Sequence, residues 1–335
     1  MALPALPTAM LAHRYDPGHD AVHFLPASRE LRRSAPFLTD DDLKVAEAPL
    51  VVRRGDALAT AAGSVRLNFI FHSAYCCSTL LANAYDRPGR AFALKEPVLL
   101  NDLVGWRHRG AAPAQLGEAL RDGLTLMARP WEAGEVGIVK PSNVVNGLIP
   151  AMISGRGDAG VLLLHAPLRV YLGSIASKGL WGRRWVRDLL MKQLTDGAVD
   201  LGFEQADYFL QTDLQVAAVG WLAQHQLFAN TAARWPERVR TLNSETLLAD
   251  PAAALAALDD LFGVVDSDEG RSTVVGNVFR RHAKFGTEFN ADDRAASQKS
   301  AAALYGEELD MVVGWAEAVA ANVGLAMALP NPLMG

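Results

Sequence analysis

The sequence predicts an α/β protein with a mostly parallel sheet covered by helices on both faces, a three-layer architecture. Short apolar runs alternate along the chain with longer stretches whose apolar residues recur at helical spacing, which is the order of elements in βαβ units. The 335 residues, of which 50% are hydrophobic, suffice for one large core. No linker or repeat interrupts the pattern, so we expect a single domain.

The predicted elements follow one another through the middle of the chain. Residues 1–65 are Pro-rich and are expected to form an irregular N-terminal cap, residues 66–290 the core, and residues 291–335 a C-terminal helix and tail. The predicted strands are Leu67–Phe71, Phe92–Lys95, Gly137–Lys140, Gly160–His165 and Val239–Asn243. The predicted helices are Thr79–Tyr85, Ala114–Met127, Val144–Ile153, Asp207–Ala233 and, in the tail, Asp292–Ala328.

Composition excludes several classes of protein. A net charge of -5 and a pI near 5.9 argue against non-specific binding to nucleic acid. No apolar run reaches the length of a membrane span, and the first residues lack the features of a secretory signal. The two cysteines, Cys76 and Cys77, are adjacent, which argues against a structural disulfide between them, and two cysteines alone do not form a zinc site. We therefore expect a cytoplasmic protein without a bound metal, a nucleic-acid partner or a membrane partner; its oligomeric state stays open.

The segment after the first predicted strand of the core is the most informative. From His72 to Thr79 the chain turns through small residues and then becomes apolar at helical spacing. Free amides at the start of a helix bind phosphate and similar anions, and Ser78 and Thr79 add two hydroxyl donors. It is not a nucleoside-triphosphate loop of the usual spacing, because Cys76 and Cys77 replace the required Gly and Lys. The alternative is a strand-to-helix turn that binds nothing.

Charged residues follow the next strands at corresponding places. A lone Lys or Arg is usually a solvated charge, but several at successive strand ends, around one anion-binding loop, indicate an anion pocket. The groups are Lys95-Glu96-Pro97, Lys140-Pro141, His165-Ala166-Pro167 with Arg169, and, far downstream, Arg280, Arg281 and Lys284.

In these motifs and their order, residues 66–290 resemble the sulfotransferases that use 3′-phosphoadenosine 5′-phosphosulfate, especially the bacterial sulfotransferase-like proteins. The family's first loop, approximately [KR]-S-G-T-T-x-L, falls on Tyr75–Leu81. Its Glu-Pro and its R-[DN]-P correspond to Glu96-Pro97 and His165-Ala166-Pro167. Its K-[DT]-P corresponds to Lys140-Pro141, except that proline follows the lysine directly. Its E-x-L-x-x-D-P pattern corresponds to the end of Arg238–Pro251, followed by Leu261-Phe262-Gly263.

The resemblance implies a P-loop nucleoside-triphosphate-hydrolase-like (sulfotransferase) fold and a reaction. The donor would pass its sulfuryl group to a hydroxyl or amine of a small organic acceptor. The donor would be bound by Tyr75, Cys76, Cys77, Ser78, Thr79, His165, Arg169, Ser174, Arg281 and Lys284. Lys140 would be the catalytic cation and Lys95 a second one. Glu96 would be the base, or else an ion-pair partner of Lys95 or Arg90, and His72 is a further candidate base.

Departures from the family's pattern leave other functions open. Tyr75 replaces the loop cation, His165 replaces an arginine that binds the 3′-phosphate, and Ser174 comes one residue late. Cys77 replaces the loop glycine, and its side chain is expected to exclude a positive φ. The main alternative is therefore a non-catalytic or diverged nucleotide- or anion-binding protein. A phosphoryl-transferring kinase is disfavoured, since the Walker spacing is absent.

The sequence leaves the acceptor unidentified. Segments Leu99–Arg109 and Leu180–Arg187 are rich in tryptophan and arginine and are predicted to line its pocket, which would favour an apolar or aromatic acceptor. We also expect Lys140→Ala to lower turnover while leaving thermal stability nearly unchanged.

Overall fold

The predicted α/β class is confirmed by the structure, a computed structural model that describes residues 6–61, 63–280 and 291–334. Its eight strands form two sheets. They are β1 Met10–Asp16, β2 Ala21–Pro26, β3 Leu50–Arg53, β4 Leu67–His72, β5 Ala91–Lys95, β6 Val136–Lys140, β7 Val161–His165 and β8 Val239–Asn243.

Helices make up most of the remaining chain. They are α1 Arg29–Ser34, α2 Asp40–Leu43, α3 Arg54–Ala59, α4 Ser78–Asn83, α5 Val98–His108, α6 Pro113–Met127, α7 Ile149–Gly155, α8 Leu168–Ser177, α9 Gly179–Thr195, α10 Asp207–Leu210, α11 Asp213–Arg234, α12 Ser244–Ala249, α13 Pro251–Phe262, α14 Asp268–Val274 and α15 Ala291–Asn322. A 3-10 turn, Asn143–Leu148, precedes α7, and a π-helical turn, Val275–Arg280, follows α14.

The larger sheet contains all five predicted strands, in the order β5-β6-β4-β7-β8. Each agrees with its predicted range to within one residue at either end. Strand β6 pairs in parallel with β4 and with β5, and Lys95 lies opposite Lys140 at the carboxyl ends of β5 and β6. Because β4 has β6 on one side and β7 on the other, the loop after β4 begins at a topological switch point, where such sheets bind ligands.

The N-terminal segment is not the irregular cap that its composition predicted. Strands β1, β2 and β3 form an antiparallel sheet, with a bulge between Ala12 and Arg14. Pro17 lies directly after β1, and Pro26 is the last residue of β2. A proline at a strand end does not break the ladder, so Pro content alone was a poor guide here.

Several helices also differ from prediction. The long helix expected from residue 207 is interrupted, and α11 starts anew at a capping box formed by Thr212 and Gln215. The helix expected over Val144–Ile153 begins as the 3-10 turn. Helices α5, α8 and α9 were not predicted. In α9 apolar residues occupy both the buried and the exposed face, so its periodicity is weak.

The chain folds as two compact units that alternate along the sequence. Unit 1 comprises Met1–Phe71, Thr79–Val161 and Leu258–Ser267, and unit 2 comprises His72–Ser78, Leu162–Ala257 and Asp268–Gly335. In unit 2, α8 packs on α9, α11 and α15, and Trp221 Nε1 of α11 donates to the Ala166 carbonyl at 3.0 Å.

A buried amide side chain connects separate parts of unit 1. Asn68 of β4 is fully buried. Its Oδ1 accepts from the Gly160 amide at 2.8 Å, and its Nδ2 donates to the Phe262 carbonyl at 3.0 Å. Gly160 has no room for a side chain, because a Cβ there would lie 2.3 Å from the Leu261 carbonyl oxygen. Asn68 thus satisfies backbone groups that pack too tightly to admit water.

We expect Asn68→Leu to destabilise the protein by about 3 kcal/mol, because it leaves the Gly160 amide and the Phe262 carbonyl buried without partners. Urea denaturation followed by circular dichroism measures the change. Gln115→Leu is the control, since Gln115 is an exposed amide on α6 and should shift the transition by less than about 0.5 kcal/mol. Equal effects of the two substitutions would contradict the role of Asn68.

Candidate functional site

The loop between β4 and α4 has an unusual backbone. Ala74, Tyr75 and Cys77 have φ values of 72°, 52° and 64°. The expectation that a side chain at position 77 excludes a positive φ is therefore wrong: Cys77 adopts the left-handed conformation despite its Cβ. Each such residue costs about 1–2 kcal/mol relative to right-handed backbone. Strain of this kind persists only where surrounding contacts impose it, and it is concentrated at functional sites.

Hydrogen bonds within unit 2 hold the beginning of this loop. The Ser73 amide donates to the Leu164 carbonyl, and the Ala166 amide donates to Ser73 Oγ, both at 3.1 Å. The Ala74 amide donates to Nδ1 of His72, also at 3.1 Å. His72 is the last residue of β4 and is buried rather than being part of an open loop. In this hydrogen bond the Nδ1 of His72 is the acceptor and the loop amide is the donor.

The end of the loop presents donors that no other described residue uses. In residues 6–61, 63–280 and 291–334, the amides of Cys77, Ser78 and Thr79 have no hydrogen-bond acceptor, and the hydroxyl of the buried Ser78 makes no hydrogen bond. Helix α4 is only six residues long, so its dipole is small. Free backbone amides, rather than a helix dipole, are therefore the groups that this loop offers to an anion.

Tyr75 packs among aromatic rings instead of offering a charge. Its ring lies 5.9 Å from that of Tyr171 and 5.6 Å from that of Trp185, both edge-on. Burial raises the pKa of the Tyr75 hydroxyl to about 12, so it stays neutral. The ammonium of Lys178 lies 5.9 Å from the ring centroid of Tyr75. The sequence placed Lys178 among the polar residues that follow the fourth predicted strand but gave it no role in the site; it directly follows α8.

The two cysteines have the properties of inert thiols. Cys76 is buried, and burial raises the pKa of the Cys77 thiol to about 12, opposed by the charge of Arg294. A protonated thiol is a poor nucleophile. Arg294 donates from Nη2 to Glu245 Oε1 at 2.6 Å. Glu245 belongs to the family-like E-x-L motif, whereas nothing in the sequence pointed to Arg294.

His165, which takes the place of the family's arginine, is uncharged at neutral pH. Its ring lies 5.6 Å from that of His225, which stacks on Trp221 at 4.3 Å. The Nε2 of His225 lies 3.0 Å from the Met327 carbonyl oxygen. Burial lowers the pKa of both histidines to about 4. His165 Nδ1 is buried without a partner among the described residues.

The other residues predicted to hold the 3′-phosphate have partners or lie outside the described ranges. Arg169 is exposed, and its Nε donates to Asp310 Oδ1 at 2.8 Å. Ser174 Oγ donates to the Val170 carbonyl of its own helix at 2.9 Å. Arg281 and Lys284 lie outside the described residues, as does the side chain of Arg280.

The predicted catalytic cations belong to unit 1 and are buried. Lys140 is 1% exposed; its ammonium donates to Glu96 and lies 5.0 Å from the ring centroid of Phe37. Lys95 Nζ donates to the Arg33 carbonyl and to Asn83 Oδ1, both at 2.9 Å. Glu96 has a positive φ of 51° and pairs with Lys140, a partner that the sequence did not suggest.

The burial of Lys140 changes the expected result of truncating it. Lys140→Ala would leave a cavity and remove the partner of the Glu96 carboxylate. Breaking a buried ion pair in this way is strongly destabilising, so we expect Lys140→Ala to lower the thermal midpoint instead of leaving it nearly unchanged. Loss of activity in that variant alone would not separate catalysis from folding.

The predicted acceptor segments are helical. Helix α5, through Asn101, Asp102 and Gly105, and the following Arg109 line an open pocket of about 570 Å³ in unit 1. The end of β1, Pro17 and His23 of β2 complete the wall. In α9, Trp181 stacks on Trp185 at 6.4 Å. Over the described ranges, no cluster of three or more His, Cys, Asp or Glu residues is arranged to hold a metal ion, and no helix there is long and apolar enough to cross a membrane.

We expect Ala74→Gly to stabilise the protein by up to about 1 kcal/mol, because glycine adopts a φ of 72° without the Cβ clash. Ala318→Gly is the matched control: Ala318 is exposed in the interior of α15, where glycine should cost about 1 kcal/mol. Thermal unfolding compares the midpoints. Shifts of the same sign in both variants would show that Ala74 is not strained.

Acid should destabilise the protein through His165 and His225. Their pKa values are about 4 in the folded protein against an ordinary histidine value of 6.5, so the unfolded chain binds protons first as the pH falls. Stability should therefore drop between about pH 6.5 and pH 4, by on the order of 2 kcal/mol per histidine. Urea denaturation across this range should show a shallower decline in His165→Asn. Equal slopes in the parent and in His165→Asn would refute the assignment.

The comparisons with known proteins concern structure alone. No family model matches the chain, and no curated protein matches it. Among solved structures, it is similar to a sulfotransferase from Mycobacterium avium, STF9, with 11% identity and a TM-score of 0.43 over 75% of this chain and 77% of that one. It is also similar to sulfotransferase STF1 from Mycobacterium tuberculosis H37Rv, with 13% identity and a TM-score of 0.38 over 75% and 82% of the two chains. Similarity at this level carries no conclusion about the reaction of this chain.

Proposed function

We propose that the protein transfers a sulfuryl group from 3′-phosphoadenosine 5′-phosphosulfate to a hydroxyl or amine of a small organic acceptor. The observation that carries the proposal is the set of free donors at the end of the β4–α4 loop: the amides of Cys77, Ser78 and Thr79 and the Ser78 hydroxyl. Free amide and hydroxyl donors suit the oxygens of a phosphate. They occur in the same loop on which the sulfotransferase-like motif falls.

The proposed reaction needs charge stabilisation at one oxygen. The acceptor oxygen or nitrogen forms a bond to sulfur while the bond from sulfur to the bridging oxygen breaks. The electron pair of the broken bond stays on the bridging oxygen, and 3′-phosphoadenosine 5′-phosphate leaves. The acceptor's proton passes to a base. We assign the 5′-phosphate to the loop donors, the compensating cation to Lys140, and the base to Glu96.

Side-chain charge in the loop itself is scarce, which limits how the donor is bound. The Tyr75 phenol and the Cys77 thiol are neutral at neutral pH, and burial raises the pKa of each further; burial lowers the pKa of His165, which is neutral as well. Lys178, beside the ring of Tyr75, is a cation in unit 2 that the proposal adds to the predicted set. The 3′-phosphate would depend on cations other than His165, with Arg281 and Lys284 as the candidates from the sequence.

The second candidate function is a nucleotide- or anion-binding protein that does not catalyse transfer. This alternative is favoured because predicted cations already form ion pairs within the protein. Lys140 is paired with Glu96, and Arg169 is paired with Asp310. A cation neutralised by a neighbouring carboxylate attracts a ligand phosphate less strongly.

Calorimetric titration separates these functions. We expect 3′-phosphoadenosine 5′-phosphate to bind more tightly than adenosine 5′-phosphate, because charge-assisted hydrogen bonds to the extra phosphate each contribute about 1.5–3 kcal/mol. Ser78→Ala should weaken binding roughly tenfold by removing one such bond. Ser177→Ala is the control, since that hydroxyl donates to the Gly173 carbonyl of its own helix.

Other outcomes would overturn the assignment. If neither nucleotide binds, or both bind alike, the donor assignment fails and the non-catalytic alternative is preferred. A preference for ATP with Mg²⁺ would support a kinase instead. If Ser78→Ala and Ser177→Ala bind as the parent does, the anion is held elsewhere than at the loop.

A further inference from the structure

The pocket that α5 lines in unit 1 has an arginine in its wall that no carboxylate neutralises. We call this cavity the α5 pocket. Within the part of the chain that the structure describes, the guanidinium of Arg109 makes no hydrogen bond and no ion pair. The other arginine of the wall, Arg14, donates from Nε and from Nη2 to Asp102, both at 2.8 Å. Arg109 is therefore the arginine of the pocket that a ligand is able to use.

A glycine in the wall leaves room for that guanidinium. Gly105 lies in the interior of α5, where glycine is less favourable than alanine. A Cβ at position 105 would lie 3.1 Å from Nη1 of Arg109, which is closer than an ordinary van der Waals contact. The guanidinium thus lies against the bare backbone of the helix. A larger residue at position 105 would take up this part of the wall and displace Arg109.

Asn101 contributes a second hydrogen-bonding group, one helical turn before Gly105 and on the same side of α5. Its Oδ1 is buried and has no hydrogen-bond partner among the described residues. Its Nδ2 also lacks a partner there but is not buried. A buried polar atom without a partner lowers stability, so no structural hydrogen bond accounts for an amide at this position. Its accessible end is able to bind a ligand.

The remaining polar groups of the wall determine which ligand fits. The carboxylates of Asp16 and Asp102 lie in the same wall as Arg109. One unpaired guanidinium attracts one negative charge, whereas the two carboxylates repel a second one. The half-buried His23 has no partner among the described residues, and a neutral imidazole both donates and accepts. Hydroxyl groups do the same, so they match His23 and the Asn101 amide.

We propose that the α5 pocket binds a small organic monocarboxylate that carries hydroxyl groups. Arg109 holds the carboxylate through two parallel N–H donors, and Asn101 and His23 bind the hydroxyls. The volume of about 570 Å³ is typical of a small-molecule site. Trp106 does not line the pocket but packs against Tyr15 at 5.7 Å, so the wall is more polar than the tryptophan in this segment suggested. None of the loop residues assigned to the sulfuryl donor lines this pocket, and the inference is independent of that assignment.

Calorimetric titration with gluconate, a hydroxylated monocarboxylate, tests the proposal. Sorbitol is the same carbon chain without the carboxylate, and it should bind at least roughly tenfold more weakly, because it lacks the charge-assisted hydrogen bonds to Arg109. Glucarate carries a carboxylate at both ends of the chain. It should bind more weakly than gluconate, since Asp16 and Asp102 repel the second charge.

Two substitutions test the arginine and the space beside it. Arg109→Gln should weaken the binding of gluconate roughly tenfold by removing the cation. Arg121→Gln is the matched control, because Arg121 is an exposed arginine of α6 in the same unit that does not line the pocket. Gly105→Leu should abolish binding without lowering the thermal midpoint, since leucine is the better helix former.

Asn101→Leu separates recognition from a structural role. It should weaken the binding of gluconate roughly fivefold by removing one hydrogen bond. The thermal midpoint should stay the same or rise, because the buried oxygen without a partner is removed as well. A residue that only supported the fold would lower the midpoint when replaced.

Several results would overturn the proposal. They are absence of gluconate binding, equal binding of gluconate and sorbitol, tighter binding of glucarate than of gluconate, and equal effects of Arg109→Gln and Arg121→Gln. A lower midpoint in Asn101→Leu would overturn the role of its amide. The titration involves none of the donors of the β4–α4 loop, so its outcome and that of the nucleotide titration are distinguishable.

Discussion

Strand β4 is the element on which the arrangement of the candidate site depends. All six of its residues are buried, so side chains on both faces must fit their neighbours. An all-apolar strand in that position is able to slip by two residues without exposing a polar group. Asn68 prevents this, because only one register brings its amide to the Gly160 amide and the Phe262 carbonyl. The point at which the strand ends, and the loop begins, is thereby determined.

Burial keeps the titratable side chains around the loop uncharged over a wider pH range. The pKa of Tyr75 and that of Cys77 rise, and the pKa of His165 falls, each because its charged form is poorly solvated. Backbone amides do not titrate, and they keep their dipoles at any pH. A loop that binds an anion through amides, with cations supplied from elsewhere, is consistent with this environment.

The buried cations of unit 1 illustrate why an ion pair is ambiguous evidence of function. Lys140 and Glu96 are joined at the carboxyl ends of adjacent strands, and the positive φ of Glu96 is typical of functional sites. A buried pair is also retained in many proteins for structural reasons, and losing one partner is costly in either case. The free donors of the loop are more informative, because no structural hydrogen bond accounts for them.

The sequence by itself determined the five parallel strands and the polar residues at their ends. Short apolar runs that end at Lys95, Lys140 and His165 are typical of buried strands. The pattern involves only neighbouring residues, so the sequence is sufficient to predict it. The antiparallel N-terminal sheet, the pairing of Lys140 with Glu96 and the contact of His165 with His225 join residues that are distant in sequence. Only tertiary structure decided them, since no local pattern encodes which partner a buried group meets. The left-handed backbone of Cys77 was decided in the same way: local sterics oppose it, and the contacts that outweigh this penalty come from the surrounding fold.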